Sequence, residues 1–211
     1  MLADLLAHPG VEEVCELRSR FGLMAIHGGN LERGTDVIAA AAASRAGASL
    51  YAVRQPPGLR WHVPSVAFDP GASPALARFL DHVDVAVALH GYGRPDMWTT
   101  LLVGGQNRPL AAALRSALEG ALGEGFQVID DVESIPLPLR GQHPRNPVNL
   151  PRSGGVQLEL PPRVRPGTGA PTYEPGYEAA ITAALVEVAS AHVASNDQAG
   201  FTTYDVRPTD R

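Results

Sequence analysis

Short apolar runs alternate with segments of helical pattern along most of this chain. The run VDVAVALHG at residues 83–91 is apolar at almost every position, as expected for a strand covered on both faces. Strands that alternate with helices indicate an α/β fold, with a mixed, mostly parallel sheet flanked by helices. The strands are predicted at residues 22–27, 49–54, 83–91, 99–105, 126–130 and 155–161. The helices are predicted at residues 35–47, 73–80, 107–123 and 174–195.

Local signals set the ends of several of these helices. Thr35 or Asp36 offers an N-cap for the first one, and Gly47 offers its stop. Ser73 offers the cap of the second, and the third carries its proline in the first turn.

The length of 211 residues suits one domain with a sizeable core and is too short for two comfortable ones. We expect a single domain over residues 1–211, with its core at about 20–195 and a polar tail at 196–211. Two segments rich in proline and glycine, 55–72 and 135–155, exceed the usual loop length. We therefore predict that these two segments form the walls of a functional cleft.

The charged residues narrow the range of partners. The formal net charge of −5 argues against a nucleic-acid-binding protein, because a basic stripe is the expected footprint of that function. All 17 basic residues are arginine, so recognition of an anion must use guanidinium groups, which suit carboxylates. The sequence does not indicate an oligomeric state.

The N-terminal segment lacks the basic and apolar regions of a secretory signal, and no window approaches the length of an apolar membrane span. Cys15 is the only cysteine, so there is neither a disulfide framework nor a cysteine zinc cluster, and we expect it to be an apolar filler. These features predict a cytoplasmic protein without a membrane partner.

Polar residues of catalytic type stand at the ends of three predicted strands. His27 closes the first strand, His90 closes the third, and Glu159 lies late in the sixth, while Glu32 follows His27 by five residues across Gly28–Gly29. Ligands bind beyond the carboxyl ends of the strands in open α/β sheets. Two imidazoles and one carboxylate are the usual ligands of a catalytic zinc ion, and a further carboxylate can take a proton from its water.

Each of these residues also has an ordinary structural interpretation. His27 can be a polar strand end, Glu32 can favour the positive end of the following helix, and His90 can belong to a plain turn. Glu159 can face solvent on an edge strand. The coincidence of all four residues at one sheet edge favours a metal site.

The remaining candidates are weaker. His8, His82 and His192 lie in helical or surface contexts and are expected to be solvated, whereas His143 lies in a predicted cleft wall and is a candidate for substrate contact. The chain has no G-x-S-x-G elbow, no G-x-G-x-x-G motif and no phosphate-binding P-loop.

Four segments resemble the poly-γ-glutamate hydrolase family, which is known from bacilli and their phages. They are HGGNLERGT at 27–35, VALHGYG at 87–93, LLVGGQNRPL at 101–110 and NPVNLPRSGGVQLELPPRVR at 146–165. The matching blocks run from about residue 20 to 195. The resemblance implies a fold similar to zinc carboxypeptidases, in which a mixed sheet packs between helices, and leaves a phage-derived or phage-associated origin open.

The resemblance also places His27, Glu32 and His90 on the zinc ligands and Glu159 on the general base. One departure separates the chain from zinc carboxypeptidases proper, which place two residues between the first histidine and the glutamate, where this chain places four. The departure favours the poly-γ-glutamate branch over a true carboxypeptidase.

The resulting hypothesis is a hydrolase that cleaves γ-glutamyl amide bonds with one zinc ion. Four arginines follow the proposed site residues and are candidates for binding the carboxylates of such a polyanion: Arg94, Arg108, Arg163 and Arg165. Two alternatives stay open. The chain can act on a smaller N-acyl amino acid or γ-glutamyl compound, or it can be a non-catalytic anion-binding module.

Overall fold

A computed structural model describes residues 1–170 and 173–200 of the chain. Most of the predicted polar tail, from residue 201 onward, lies outside the described residues. The strands are β1 (Glu12–Glu16), β2 (Phe21–Gly29), β3 (Ser49–Gln55), β4 (Val85–Gly91), β5 (Thr100–Val103), β6 (Gln127–Ile129) and β7 (Gly155–Leu160). The α-helices are α1 (Leu2–Leu6), α2 (Thr35–Ala46), α3 (Pro74–His82), α4 (Arg108–Leu122) and α5 (Tyr177–Gly200).

The strands of the described residues form one sheet in the order β1-β3-β2-β4-β7-β5-β6. Four neighbouring pairs are parallel: β2 with β3, β2 with β4, β4 with β7, and β5 with β6. The pairs of β1 with β3 and of β5 with β7 are antiparallel. The prediction of a mixed, mostly parallel sheet is therefore confirmed, as are the six predicted strands and the four predicted helices.

Two elements near the N-terminus were missed by the sequence pattern, namely α1 and β1. Strand β1 has the sequence EEVCE, in which three of five residues are exposed glutamates, so it lacks the apolar run that marks the other strands. Its place at the sheet edge comes from antiparallel pairing with β3. The lone thiol of Cys15 is half-buried on this strand.

The sheet is covered on both faces, which explains the apolar character of its central strands. On one face, α2, α4 and α5 pack against inward-facing residues such as Leu23, Val87 and Leu158. On the other face, α1 and α3 pack against Met24 and Ile26, among others. No helix within the described part of the chain is long and apolar enough to cross a membrane.

The prediction that Thr35 or Asp36 is the N-cap of α2 is wrong. Gly34 occupies the cap position with a φ of 87°, because both expected residues serve the preceding loop instead. The Thr35 hydroxyl donates to the Glu32 carbonyl, and the Asp36 carboxylate accepts from the Gly29 N–H. The stop at Gly47 and the cap at Ser73 are confirmed.

The central strands β2, β4 and β7 are neighbours and run in parallel, so their carboxyl ends meet at one edge of the sheet. His90 and Glu159 are register partners across β4 and β7. Glu159 does not face solvent on an edge strand, because β7 lies between β4 and β5 and all six of its residues are buried. His192, expected to be solvated, is half-buried and packs its ring against Phe21.

Candidate metal centre

Three of the residues proposed as metal ligands converge at this edge. One ligand atom each from His27, Glu32 and His90 lies within 4.8 Å of the other two. His27 lies near the end of β2 and His90 near the end of β4, and both side chains are buried. Neighbouring parallel strands thus bring together two imidazoles that are 63 residues apart in the sequence.

Hydrogen bonding fixes the tautomer of His27. Its Nε2 lies 2.8 Å from the Val63 carbonyl oxygen, which can only accept, so Nε2 carries a hydrogen. In the neutral ring, Nδ1 then presents a lone pair to a Glu32 carboxylate oxygen 2.8 Å away. A ring nitrogen lone pair and a carboxylate oxygen repel each other at this distance unless a proton or a metal cation lies between them. A metal-binding histidine that donates its outer N–H to a carbonyl has the arrangement usual for such ligands.

His90 offers the second imidazole. Its Nδ1 lies 3.3 Å from the other Glu32 oxygen, and its buried Nε2 has no hydrogen-bond partner among the described residues. Burial opposes charge on this ring, but the nearby Glu32 carboxylate raises the pKa of His90 above its ordinary value. A buried ring nitrogen without a partner calls for an explanation, and a ligand at this site would supply one.

The loop after β2 delivers Glu32 to the two histidines. The backbone N–H of Glu32 donates to the His27 carbonyl at 2.9 Å, which closes a tight turn. Gly29 has a φ of 67°, and a Cβ there would collide with the Gln55 backbone, so glycine is required by both conformation and close approach. The glycines therefore let β2 turn sharply against β3 and return Glu32 towards the site.

Glu32 is held in its ionised form. Burial alone would raise the pKa of this carboxyl, but the adjacent imidazoles of His27 and His90 lower it far below its ordinary value. The Gly91 N–H also donates to its Oε2 at 2.9 Å. Two nitrogen donors and one ionised carboxylate form a donor set that fits a zinc ion.

Glu159 lies beside this set in a different electrostatic environment. It is 3 % exposed, and burial, followed by the charge of Glu32, raises its pKa to about 7, although His90 and Gln157 oppose the shift. The two carboxylates thus have pKa values displaced in opposite directions. Such a separation is typical of sites in which one carboxylate binds and the other exchanges a proton.

Gln157 is a site residue that reasoning from the sequence misses. Its Nε2 donates to Glu159 Oε1 at 2.8 Å, and its Oε1 accepts from Asn146 Nδ2 at 2.7 Å. Because the Asn146 contact fixes which end of the amide faces Glu159, the pair orients the carboxylate. The alternation of GVQLEL carried the signal, since residues two apart on a strand share a face.

A cavity of about 530 Å³ opens over these residues. Its walls come from the two long irregular segments, which confirms that they form a cleft. The first segment contributes His62, Pro64, Ser65 and Val66. The second contributes Leu137, Pro138, Leu139, Gly141, Gln142, His143 and Asn146.

His62 is a second residue that the sequence reasoning misses. It is exposed, lines the cavity, and its ring centroid lies 4.9 Å from that of His27. Partial desolvation by the cavity wall, followed by the neighbouring His27, lowers the pKa of His62. The sequence signal for His62 was its position within residues 55–72, a segment predicted to form a wall of the cleft.

Two of the candidate arginines have contacts away from the cavity. The guanidinium of Arg108 donates to the carbonyls of Val103, Gly105 and Asp130. Arg163 stacks over aromatic rings, with its Cζ 5.6 Å from the centroid of Phe126, and does not line the cavity. These contacts tie surface elements together and do not point towards the proposed ligands.

The other candidates lie nearer. Arg165 is buried beside Gly91, whereas Arg94 is exposed on the following turn. His143 lines the cavity, and its Nδ1 accepts from the Arg145 backbone N–H at 3.1 Å. Their roles in binding substrate stay predictions.

Comparison with known proteins identifies relatives in sequence and in fold. The SPbeta prophage-derived UPF0714 protein YoqZ of Bacillus subtilis (strain 168) is 31% identical over 140 residues, which are 65% of this chain and 47% of YoqZ. A second B. subtilis protein, YndL, is 29% identical over 140 residues, or 65% of this chain and 52% of YndL. The chain thus spans about half the length of the curated relatives it matches.

The fold is shared with solved structures. A bacteriophage poly-gamma-glutamate hydrolase superposes with a TM-score of 0.71 at 23% identity, over 88% of this chain and 90% of that one. YndL in its zinc-free form gives a TM-score of 0.69 at 23% identity, over 84% and 88%. A putative carboxypeptidase from Burkholderia mallei gives 0.50 at 14% identity, over 92% and 66%. The fold is therefore of the zinc carboxypeptidase-like kind.

A family model described as poly-gamma-glutamate hydrolase matches residues 5–168. This match covers strands β2, β4 and β7, the three converging residues and Glu159. The chain belongs to the poly-gamma-glutamate hydrolase family.

Proposed function

We propose that this protein hydrolyses γ-glutamyl amide bonds, with poly-γ-glutamate as substrate and one zinc ion as cofactor. The observation that supports the proposal best is the convergence of His27, Glu32 and His90 beside Glu159 in one cavity. Family membership supports the choice of substrate.

The proposed zinc ligands are His27, Glu32 and His90. Their donor set suits zinc, and the zinc-free state named for the YndL structure supports zinc over other metals. When bound, zinc would lower the pKa of a water molecule to about 7 and polarise the scissile carbonyl. The Val63 carbonyl keeps His27 in the tautomer that presents Nδ1 to the site.

Glu159 has the proposed role of general base and acid. Its carboxylate accepts a proton from the attacking water and returns it to the nitrogen of the leaving amine. A pKa of about 7 suits both halves of this exchange, and the hydrogen bond from Gln157 to Oε1 holds the carboxylate in place.

A γ-linked glutamate chain carries one α-carboxylate per residue. The protein contains no lysine, so arginine side chains and histidines must recognise this polyanion. Arg165, adjacent to Gly91, and His143, in the cavity wall, are the best placed of the candidates named from the sequence.

The decisive experiment is incubation of the zinc-loaded protein with poly-γ-glutamate, with chain length followed by gel filtration. We expect the polymer to shorten, activity to stop on chelation, and zinc to restore it. An intact polymer after prolonged incubation would reject the proposed substrate.

A small γ-glutamyl compound or N-acyl amino acid is a second candidate substrate. The cavity volume of about 530 Å³ supports it, because this is the size of small-molecule sites. Hydrolysis of γ-glutamyl dipeptides without shortening of the polymer would identify this function. A zinc-loaded protein that hydrolyses neither would point to the binding module.

A further inference from the structure

A second cavity, of about 340 Å³, shares Gly91 with the lining of the metal-centre cavity. We call it the arginine pocket, after three of the residues that line it. No acidic side chain lines this pocket. Its main lining residues are Arg33, Arg60, Arg165, Asn30, Tyr92 and Thr168.

Arg165 brings a buried positive charge to this pocket. The residue is 6 % exposed, and its guanidinium donates to three carbonyl oxygens, those of Leu160, Arg33 and Tyr92. A guanidinium has five N–H groups, so these contacts leave two for another acceptor. Its hydrogen bonds all go to neutral carbonyls, while the carboxylates of Glu32 and Glu159 lie near enough to stabilise its charge without contacting it. The two remaining N–H groups are available to an anion.

Arg33 is also held in place beside the pocket. Its Nε and Nη2 donate to the Asn30 side-chain oxygen, and its Nη1 donates to the Gly167 carbonyl at 3.3 Å. Arg60 is exposed at the same pocket. Within residues 1–170 and 173–200, the salt bridges include none made by these three arginines. The pocket therefore collects three guanidinium groups, and its lining contains no carboxylate.

Gly91 joins the pocket to the metal centre. Its N–H donates to Glu32 Oε2, and a Cβ at this position would lie 2.5 Å from Arg165 Cζ. The absence of a side chain thus admits the guanidinium to within contact of the backbone that supports Glu32. A ligand bound in the arginine pocket would lie next to a substrate bound at the metal centre.

We propose that the arginine pocket binds the α-carboxylate of a glutamyl residue next to the scissile bond. The choice of ligand rests on the proposed function. In a γ-linked chain, the carbon attached to the scissile nitrogen also bears a carboxylate, so an anion necessarily lies close to the cleaved amide. The pocket then selects γ-glutamyl chains over neutral amides and sets the register of the chain on the metal centre.

The test uses the full chain with equimolar zinc and a Glu159→Gln background that prevents turnover. The probe is tetra-γ-glutamate, and the control ligand is its neutral form with every carboxylate converted to a primary amide. Binding is measured by calorimetry for the Arg33→Ala/Arg60→Ala double variant, because both residues are exposed and their loss spares the core. Arg152→Ala is the matched control, since Arg152 is exposed and pairs with Asp84 before the start of β4, at the opposite end of that strand from Gly91.

We expect the affinity of the double variant for tetra-γ-glutamate to fall by about tenfold or more for each of the two arginines that contacts the ligand. Its zinc content and its affinity for the neutral ligand should not change. The Arg152 variant should bind as the parent does. Equal affinity of parent and double variant, or no binding of tetra-γ-glutamate by the parent, would overturn the inference. The proposed function is tested separately, by whether the unaltered protein shortens poly-γ-glutamate.

Discussion

The two irregular segments that wall the metal cavity attach to different parts of the candidate site. The 55–72 segment holds a proposed metal ligand, because its Val63 carbonyl accepts from His27 Nε2. The 135–155 segment holds the proposed base, because its Asn146 orients Gln157 and Gln157 bonds Glu159.

Each segment is anchored by its own polar contacts. Gln55 clamps the backbone of Trp61 with two hydrogen bonds of 2.8 Å, which fixes the approach of Val63 to His27. Asn149 Nδ2 donates to the carbonyls of Gly141 and His143 and so folds the other wall. We therefore expect the 55–72 wall to control metal affinity and the 135–155 wall to control the proton-transfer step.

The largest expected effect is the loss of a proposed ligand. His27→Ala should abolish stoichiometric zinc binding, a greater loss than the about 100-fold that removal of an outer partner costs. Metal analysis after gel filtration measures it. His143→Ala, a change in the opposite wall of the same cavity, should keep its zinc, and full zinc content in the His27 variant would remove that residue from the ligand set.

Loss of the proposed base should separate chemistry from metal binding. Glu159→Gln is expected to retain zinc and to lower kcat by about 10²–10⁴-fold, the usual contribution of a positioned acid or base. Initial rates on poly-γ-glutamate, with zinc content measured in parallel, check this. Wild-type turnover by this variant would reject the role of Glu159.

The Asn146–Gln157 pair tests the 135–155 wall. Gln157→Leu removes the donor to Glu159, so kcat should fall about ten- to a hundredfold while KM and zinc affinity stay unchanged. Asn146→Ala keeps that donor and should have a smaller effect on kcat. A change in zinc affinity in either variant would contradict the assignment of this wall to the proton-transfer step.

The Gln55 clamp tests the 55–72 wall. Gln55→Leu should weaken zinc binding by about tenfold through the Val63 carbonyl, with kcat at saturating zinc unaltered. Competition with a chromogenic chelator gives the affinity. A lower kcat at full zinc occupancy, with unchanged zinc affinity, would show that the two walls do not divide their roles in this way.

A last expected effect concerns the stability of the metal-free protein and needs neither zinc nor substrate. The folded pKa of Glu159 is about 7, above its ordinary value of 4.5, so the folded state keeps a proton that the unfolded state releases. This contribution to the free energy of unfolding is complete below pH 4.5 and is lost as the pH rises through 7. Glu159→Gln should therefore gain stability relative to the parent over that interval in urea titrations; a constant difference would contradict the raised pKa.

Much of the fold was predictable because its signals are local. The apolar runs of the strands mark β2, β4 and β7, and His27, His90 and Glu159 lie at or near the ends of those runs. Strand β1 escaped because its three glutamates are tolerated at a sheet edge, where pairing with β3 supplies the order. A local sequence pattern does not predict a strand whose position is set by pairing with a strand far away in the sequence.

The same distinction separates the residues of the site. The Val63 carbonyl reaches His27 across 36 residues, and the Arg165 guanidinium reaches the Arg33 carbonyl across 132. No spacing rule marks such pairs, because the intervening chain sets neither their distance nor their direction. His62 and the arginine pocket likewise depend on how the loops pack.

The sequence by itself determined the class of fold, the strand-end residues and the family resemblance, because strand periodicity and short motifs are properties of neighbouring residues. Only the tertiary structure decided that Glu159 lies on an interior strand, which tautomer His27 adopts, and that Arg33, Arg60 and Arg165 line one pocket. These outcomes depend on strand order and loop packing, which bring distant residues into contact.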